Sequence, residues 1–179
     1  MKPRVGISRC LLGDDVRYDG TNKRSRAVIA LGDDVEWVPV CPEVEVGMGV
    51  PREPIQLVAR TSRIQSADER VRLQGVHSGE DWTTRMRYWA RDRAEDLSAQ
   101  GISGFVLKAR SPSCGPSGVL VHHRDREATP TGRGLFAEAL AFAMPGLPTI
   151  VEEALEDSGA RDEFMRRVRD FADRTSPRR

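Results

Sequence analysis

The sequence predicts an α/β domain in which a mainly parallel sheet lies between helices on both of its faces. Three short apolar runs typical of buried strands occupy residues 4–8, 35–40 and 105–107. Helical patterns separate and follow these runs. Because strands that alternate with helices favour a parallel sheet covered on both sides, we expect three layers.

The first third of the chain has clear local signals. A helix is expected over residues 24–31, ending at Gly32. The strand at 35–40 contains Pro39, which cannot donate to a ladder, so this strand is expected to lie at an edge or to leave the sheet there. Residues 43–54 contain two glycines and two prolines and are expected to form a loop.

The middle of the chain predicts weaker strands at residues 55–60 and 70–74, followed by a long helix. Ser78 and Asp81 have the spacing of a capping box. Large apolar residues then recur at helical spacing over 81–97, which indicates a helix with one buried face.

The last third begins with a turn-rich loop, SPSCGPSG, at residues 111–118. Helices are expected over 134–144 and 161–173, and the tail at 175–179 is expected to be disordered. No repeat or linker interrupts the pattern, so the chain is expected to be a single domain over 1–179.

Composition excludes several classes of protein. The chain has 179 residues, with 28 Lys and Arg against 27 Asp and Glu, so charge gives no strong attraction to nucleic acid or membrane. No apolar stretch reaches the length of a signal peptide or a membrane span, so a cytoplasmic location is expected. Three cysteines cannot all pair, and a reducing cytosol disfavours disulfides.

The cysteines follow the three predicted strands. Cys10 comes two residues after the first strand, Cys41 directly follows the second, and Cys114 lies in the loop after the third. Ligands of parallel α/β sheets bind outside the carboxyl ends of the strands. We therefore expect the three thiols to gather at one edge, although any one of them alone also fits a small buried core residue.

The cysteine spacing does not match a zinc ribbon or finger, which uses CxxC pairs. The histidines, His77, His122 and His123, lie far from the cysteines in sequence, and the His122-His123 pair is expected on the surface. A [4Fe–4S] cluster normally takes four cysteines, so three would leave one iron with an exchangeable ligand. The hypothesis fails if any of the three side chains lies deep in the hydrophobic interior.

Three motifs resemble the TudS-type thiouracil desulfidase family: ISRCLLGDDVRYDG at 7–20, VCPEVEVGMGVPR at 40–52 and LKARSPSCGPSG at 107–118. They occur in the family's order, each with its cysteine in place, and the likeness covers about residues 4–155. The resemblance implies a Rossmann-like domain and a [4Fe–4S] cluster held by Cys10, Cys41 and Cys114.

The same resemblance implies an enzyme that removes sulfur from thiolated uracils by non-redox chemistry. Glu43, in the CPE motif, and Ser111, the first serine of SPSC, match residues that serve catalysis in the family. Without the resemblance, Glu43 is equally well a solvated loop acid. Further candidates for substrate binding lie in the matching motifs: Ser8, Arg17, Asp19 and Ser113.

Other functions stay open on the sequence. The segment at 71–82 and the C-terminal helix resemble a longer form of the domain, some fusions of which act on 4-thiouridine in tRNA. The near-neutral charge favours a small thiolated base or nucleoside over tRNA. A metal-free persulfide transferase and a non-catalytic iron–sulfur sensor are the remaining classes. The chain is expected to be a monomer or a homodimer.

Overall fold

The computed structural model describes residues 2–60 and 71–175, which form eight strands and five α-helices. The strands are β1 (Arg4–Ser8), β2 (Glu36–Val40), β3 (Ile55–Ala59), β4 (Val71–Gly75), β5 (Gly104–Leu107), β6 (Val119–His122), β7 (Thr129–Gly132) and β8 (Thr149–Val151). The helices are α1 (Arg26–Ala30), α2 (Pro42–Glu45), α3 (Thr83–Ala99), α4 (Leu135–Ala143) and α5 (Ser158–Thr175).

Sheet A has the strand order β2-β1-β5-β8, and all of its neighbouring strands are parallel. Its central strands β1 and β5 are almost completely buried, which explains their continuous apolar sequences. The strand that contains Pro39 lies at the edge of the sheet, as expected.

Helices cover sheet A on both faces. On one face, Phe105 and Leu107 of β5 pack with the buried residues of α3 and α4, including Leu97 and Phe136. On the other face, side chains such as Ile7 pack with α1 and α5. The predicted three-layer α/β arrangement with a mainly parallel sheet is therefore confirmed.

A second sheet, sheet B, was not predicted. Its order is β4-β3-β6-β7, with β3 parallel to β6 and the outer pairs antiparallel. Its inner face packs on Met86 of α3 and Leu135 of α4. Helix α3 therefore contacts both sheets along its length: Met86 packs with sheet B, whereas Ala90, Ala94 and Leu97 pack in the cluster of sheet A. None of the described helices is both long and apolar enough to cross a membrane.

Most predicted helices and strands are present with ends shifted by a few residues. The capping-box interpretation is wrong: α3 begins at Thr83, its N-cap is Trp82, and Ser78 instead pairs with Glu53. The expected loop at 43–54 starts with a one-turn helix, α2. Arg70 of the fourth predicted strand and residues 176–179 of the predicted tail lie outside the described residues.

The His122-His123 pair is partly buried rather than on the surface. Nε2 of His123 lies 2.9 Å from Oγ1 of Thr129, the first residue of β7. This contact joins β6 to β7, so the second histidine has a structural role in sheet B.

Gly6 of β1 should be essential to the packing of sheet A. A Cβ at this position would lie 2.2 Å from Cδ2 of Phe105, a fully buried ring that also packs edge-on against Phe136. Gly6→Ala is expected to lower the free energy of unfolding by about 1–3 kcal/mol, measured by urea denaturation. Gly159→Ala, in the exposed first turn of α5, is the control and should cause no loss. An unchanged urea midpoint for Gly6→Ala would contradict this prediction and would show that the Phe105 ring can move aside at no cost.

Candidate metal centre and active site

A pocket of about 860 Å³ opens at the carboxyl edge of sheet A. Its lining includes Ser8, Val40, Lys108 and Glu152, which end or directly follow the four strands of this sheet. This is the edge at which parallel α/β sheets bind ligands. All three cysteines line the pocket.

Cys10 lies in a single 3-10 turn, Arg9–Leu12, that directly follows β1. Its carbonyl accepts hydrogen bonds from the backbone N–H groups of Gly13, at 3.3 Å, and Lys23, at 2.9 Å. Gly13 has a φ of 105°, which a glycine adopts without strain. These bonds fold residues 13–23 back over the strand end, so the Cys10 side chain is held at the pocket wall.

Cys41 is the N-cap of α2, directly after edge strand β2. Its backbone N–H donates to Oε1 of Glu45 at 3.0 Å, while its Sγ lies 3.9 Å from the carbonyl oxygen of Val16. The one-turn helix also places Glu43 beside the cysteine, on the pocket wall.

Cys114 lies in a loop that the N-terminus of α4 holds in place. Its backbone N–H donates to Oγ of Ser111 at 3.1 Å, and the carbonyl of Ser113 accepts from the N–H of Phe136 at 2.9 Å. A Cβ on Gly134 would lie 2.5 Å from the carbonyl carbon and oxygen of Ser113. Only glycine allows the helix to approach this closely.

The three thiols share one electrostatic environment. Burial and, to a smaller extent, the charge of Cys41 raise the pKa of Cys10 to about 11. Burial also raises the pKa of Cys41 and of Cys114, and the latter is affected by both other cysteines. A cation is therefore needed to displace the thiol protons and convert these side chains into ligands.

Cys114 lies at the boundary between the core and the pocket. The residue is 5% exposed and belongs to the apolar cluster of α3, α4 and sheet A. It also lines the pocket, and its pKa is affected by Glu43. The cysteine is thus buried on one side but reaches the pocket on the other. It does not lie deep in the hydrophobic interior, so it stays a candidate ligand.

The donor set suits a multi-iron cluster better than a single ion. Among residues 2–60 and 71–175, no three His, Cys, Asp or Glu side chains are arranged to hold one metal ion. In a cluster each thiolate binds a different iron, so the sulfurs need not converge on one point. Arg17 lines the same pocket; its buried Nε has no hydrogen-bond partner within the described part of the chain, and it lies 3.7 Å from Oδ1 of Asp19 in an ion pair. This donor suits an anionic sulfur group, and the residues present fit the cluster.

Glu43 is held on both carboxylate oxygens. Oε1 accepts a hydrogen bond from Oγ of Ser113 at 2.8 Å, and Oε2 accepts from Nε of Arg52 at 3.0 Å. Oγ of Ser111 lies 3.1 Å from Oγ of Ser113. Because a carboxylate only accepts, Ser113 donates to Glu43 and accepts from Ser111. The two serines and Glu43 form a directed hydrogen-bond chain beside Cys114.

The other predicted substrate residues have different surroundings. Ser8 is buried, and its Oγ accepts the backbone N–H of Lys108 at 3.0 Å, so it joins β1 to the residue after β5 at the pocket. Asp19 is not a pocket residue. Its carboxylate accepts from the backbone N–H and the hydroxyl of Thr21, at 3.1 and 2.6 Å, and shapes an exposed turn.

Sequence reasoning missed several charged residues of the pocket, and three of them hold its wall together: Arg52, Lys108 and Glu152. Arg52 bonds Glu43, and Lys108 forms a salt bridge with the buried carboxylate of Glu152. Glu152 also accepts the N–H of Ala109 at 2.7 Å, which fixes the start of the cysteine loop. Arg52 is the last residue of the second motif, at 40–52. It was missed because a charged residue in a loop rich in glycine and proline is normally exposed to solvent.

Comparisons with known proteins agree with the motifs. The 2-thiouracil desulfurase family model matches residues 5–153. The protein YbbK of Bacillus subtilis (strain 168) is 31% identical over 152 residues, which cover 84% of this chain and 97% of that protein. The solved structure of the [4Fe-4S]-dependent thiouracil desulfidase TudS is similar, with a TM-score of 0.67 and 30% identity over 90% of this chain and 99% of that chain. The chain belongs to the 2-thiouracil desulfurase family.

Proposed function

We propose that the chain is a desulfidase that converts a thiolated nucleobase and water into the oxygen-containing base and hydrogen sulfide. The observation that carries this proposal is that Cys10, Cys41 and Cys114, from distant segments, line one pocket together with Glu43. Membership of the 2-thiouracil desulfurase family supports the same reaction class. Exchange of C=S for C=O changes no oxidation state, so the reaction needs no reductant.

The three cysteines would hold a [4Fe–4S] cluster, the cofactor named for the similar TudS structure. When bound, such a cluster with three protein ligands supplies an open, Lewis-acidic iron that attracts the thiocarbonyl sulfur of the substrate. The cavity of about 860 Å³ leaves room for both a cluster and a small ligand.

Glu43 is suited to act as the general base. Its Oε1 faces Ser113 and the pocket, whereas its Oε2 is occupied by Arg52. A water on the pocket side of Oε1 would lose a proton to this oxygen as it attacks the carbon that carries sulfur.

Ser113 and Ser111 are suited to return the proton to the leaving sulfur. Once Oε1 carries a proton, it donates to Ser113, and rotation of the two hydroxyls passes a proton to Oγ of Ser111. The backbone N–H groups of Ser113 and Cys114, at 3.3 and 3.1 Å, hold the Ser111 oxygen in place. The chain thus moves one proton from water to sulfide.

A second candidate substrate is 4-thiouridine within tRNA or a nucleoside. Lys23, Arg24 and Arg26 line the exposed mouth of the pocket, and none of them forms an ion pair with another described residue. Free cations at the mouth favour an anionic group attached to the base. A net charge of +1 disfavours a large RNA footprint.

The test is to reconstitute the protein without oxygen and to measure iron, acid-labile sulfide and thiouracil turnover. We expect about four irons and four sulfides per chain, and loss of the ultraviolet bands of 2- or 4-thiouracil with release of sulfide. Full activity in metal-free protein would favour a persulfide transferase instead. Binding of thiouracil by cluster-loaded protein without product would favour a sensor.

A further inference from the structure

The guanidinium of Arg52 is buried and makes four hydrogen bonds. Its side chain is 6% exposed. Nε and Nη2 donate to Oε2 of Glu43, Nη1 donates to the carbonyl of Gly49 at 2.8 Å, and Nη2 donates to the carbonyl of Val16 at 3.0 Å. The arginine therefore ties the glutamate to two separate backbone segments.

These contacts leave Glu43 with one defined orientation. The glutamate is on a one-turn helix, and its carboxylate is 15% exposed. With Oε2 bonded to Arg52, Oε1 is directed to Oγ of Ser113, 2.8 Å away. Without the guanidinium, the side chain would regain its torsional freedom and lose the pairing of each oxygen with a fixed donor.

We propose that Arg52 is a positioning residue for the desulfuration: it acts through Glu43 by fixing which carboxylate oxygen meets the serine chain and the reacting water. This inference depends on the proposed function. Arginine suits the task because its planar fork bonds the carboxylate with two N–H groups and still reaches two carbonyls. A lysine at 52 would offer one ammonium nitrogen to the same set of acceptors.

Arg93, on α3, provides a matched comparison because it bonds the other glutamate of the one-turn helix α2. Its Nε donates to Oε2 of Glu45 at 3.1 Å, and Oε1 of that glutamate accepts the N–H of Cys41. Both arginines thus bond a carboxylate of α2. Arg93 does not line the pocket, whereas Arg52 does. A role limited to stabilising α2 would be shared by both arginines.

The experiment compares cluster-loaded Arg52→Met, Arg52→Lys and Arg93→Met with the unchanged protein. We measure iron content, melting temperature, and kcat and KM for thiouracil per bound cluster. Arg52→Met is expected to lower kcat about 100-fold with little change in KM, while its iron content and melting temperature stay close to those of Arg93→Met. Arg52→Lys should recover part of kcat. The double variant Glu43→Gln/Arg52→Met should have the same kcat as the single variant Glu43→Gln.

Several results would overturn the inference. Unchanged kcat per cluster in Arg52→Met would do so, and so would a loss of cluster or fold in both Arg52 variants that accounts for the lost activity. Losses that multiply in the double variant would mean that Arg52 does not act through Glu43. If the unchanged, fully loaded protein does not convert any thiolated base, the proposed function fails and this inference fails with it.

Discussion

Replacing Glu43 with glutamine is expected to lower kcat for thiouracil by about 10²–10⁴-fold, the usual contribution of a general base. Glutamine keeps the size of the side chain and can still accept from Arg52, but it cannot take a proton from water. Glu43 is not one of the proposed ligands, so the variant should keep its iron and its brown absorbance. The measurements are kcat per cluster and the visible spectrum.

Glu36→Gln is a suitable control for this substitution. Glu36 pairs with Arg4 at the start of β2, at the end of sheet A away from the pocket, and both side chains are about half exposed. The control should have the kcat of the unchanged protein. A bleached Glu43→Gln protein would show that this carboxylate supports the metal centre rather than the reaction.

Replacing Cys114 with alanine is expected to abolish cluster binding and reduce turnover to background. Two thiols cannot replace the three that the proposed cluster needs. Alanine is small and apolar, and Cys114 contacts the apolar cluster on one side, so the fold should survive. Iron and acid-labile sulfide per chain, together with the far-ultraviolet circular dichroism spectrum, separate loss of the cluster from loss of the fold.

Ser117→Ala, at an exposed position of the same loop, is the control and should bind iron normally. The same loss is expected for Cys10→Ala and Cys41→Ala, because all three thiols line the pocket. Turnover that survives in Cys114→Ala would end the cluster proposal. A metal-free sulfur transfer by one of the other cysteines would then have to be considered.

Strands β1, β2 and β5 of sheet A could be predicted from apolar runs, which are continuous in β1 and β5 because these strands are buried on both faces. In sheet B, β3 and β4 correspond to the weaker strands expected at 55–60 and 70–74, whereas β6 and β7 could not be predicted. Strand β7 has the sequence TPTG and is mostly exposed, with Pro130 and Gly132. Only its register with β6 makes it a strand. Strand β8 has three residues, which is too short for a periodic signal.

The grouping of the cysteines could be predicted because a parallel sheet brings the carboxyl ends of its strands together. The contacts among Glu43, Ser113 and Ser111 could not. The sequence SPS offers two serines, and motif matching selects Ser111, whereas Ser113 is the residue that bonds Glu43. That choice depends on how α4 folds the loop, through the N–H of Phe136 and the close approach of Gly134.

The contact at Gly134 also limits how the enzyme can be re-engineered. No larger residue fits between the first turn of α4 and the carbonyl of Ser113, so the cysteine loop and this helix must move as one unit. Insertions that widen the pocket at residues 111–118 would displace Phe136 from the core. Lys23 and Arg24, which are exposed at the pocket mouth, are the better positions for a library that seeks new substrates.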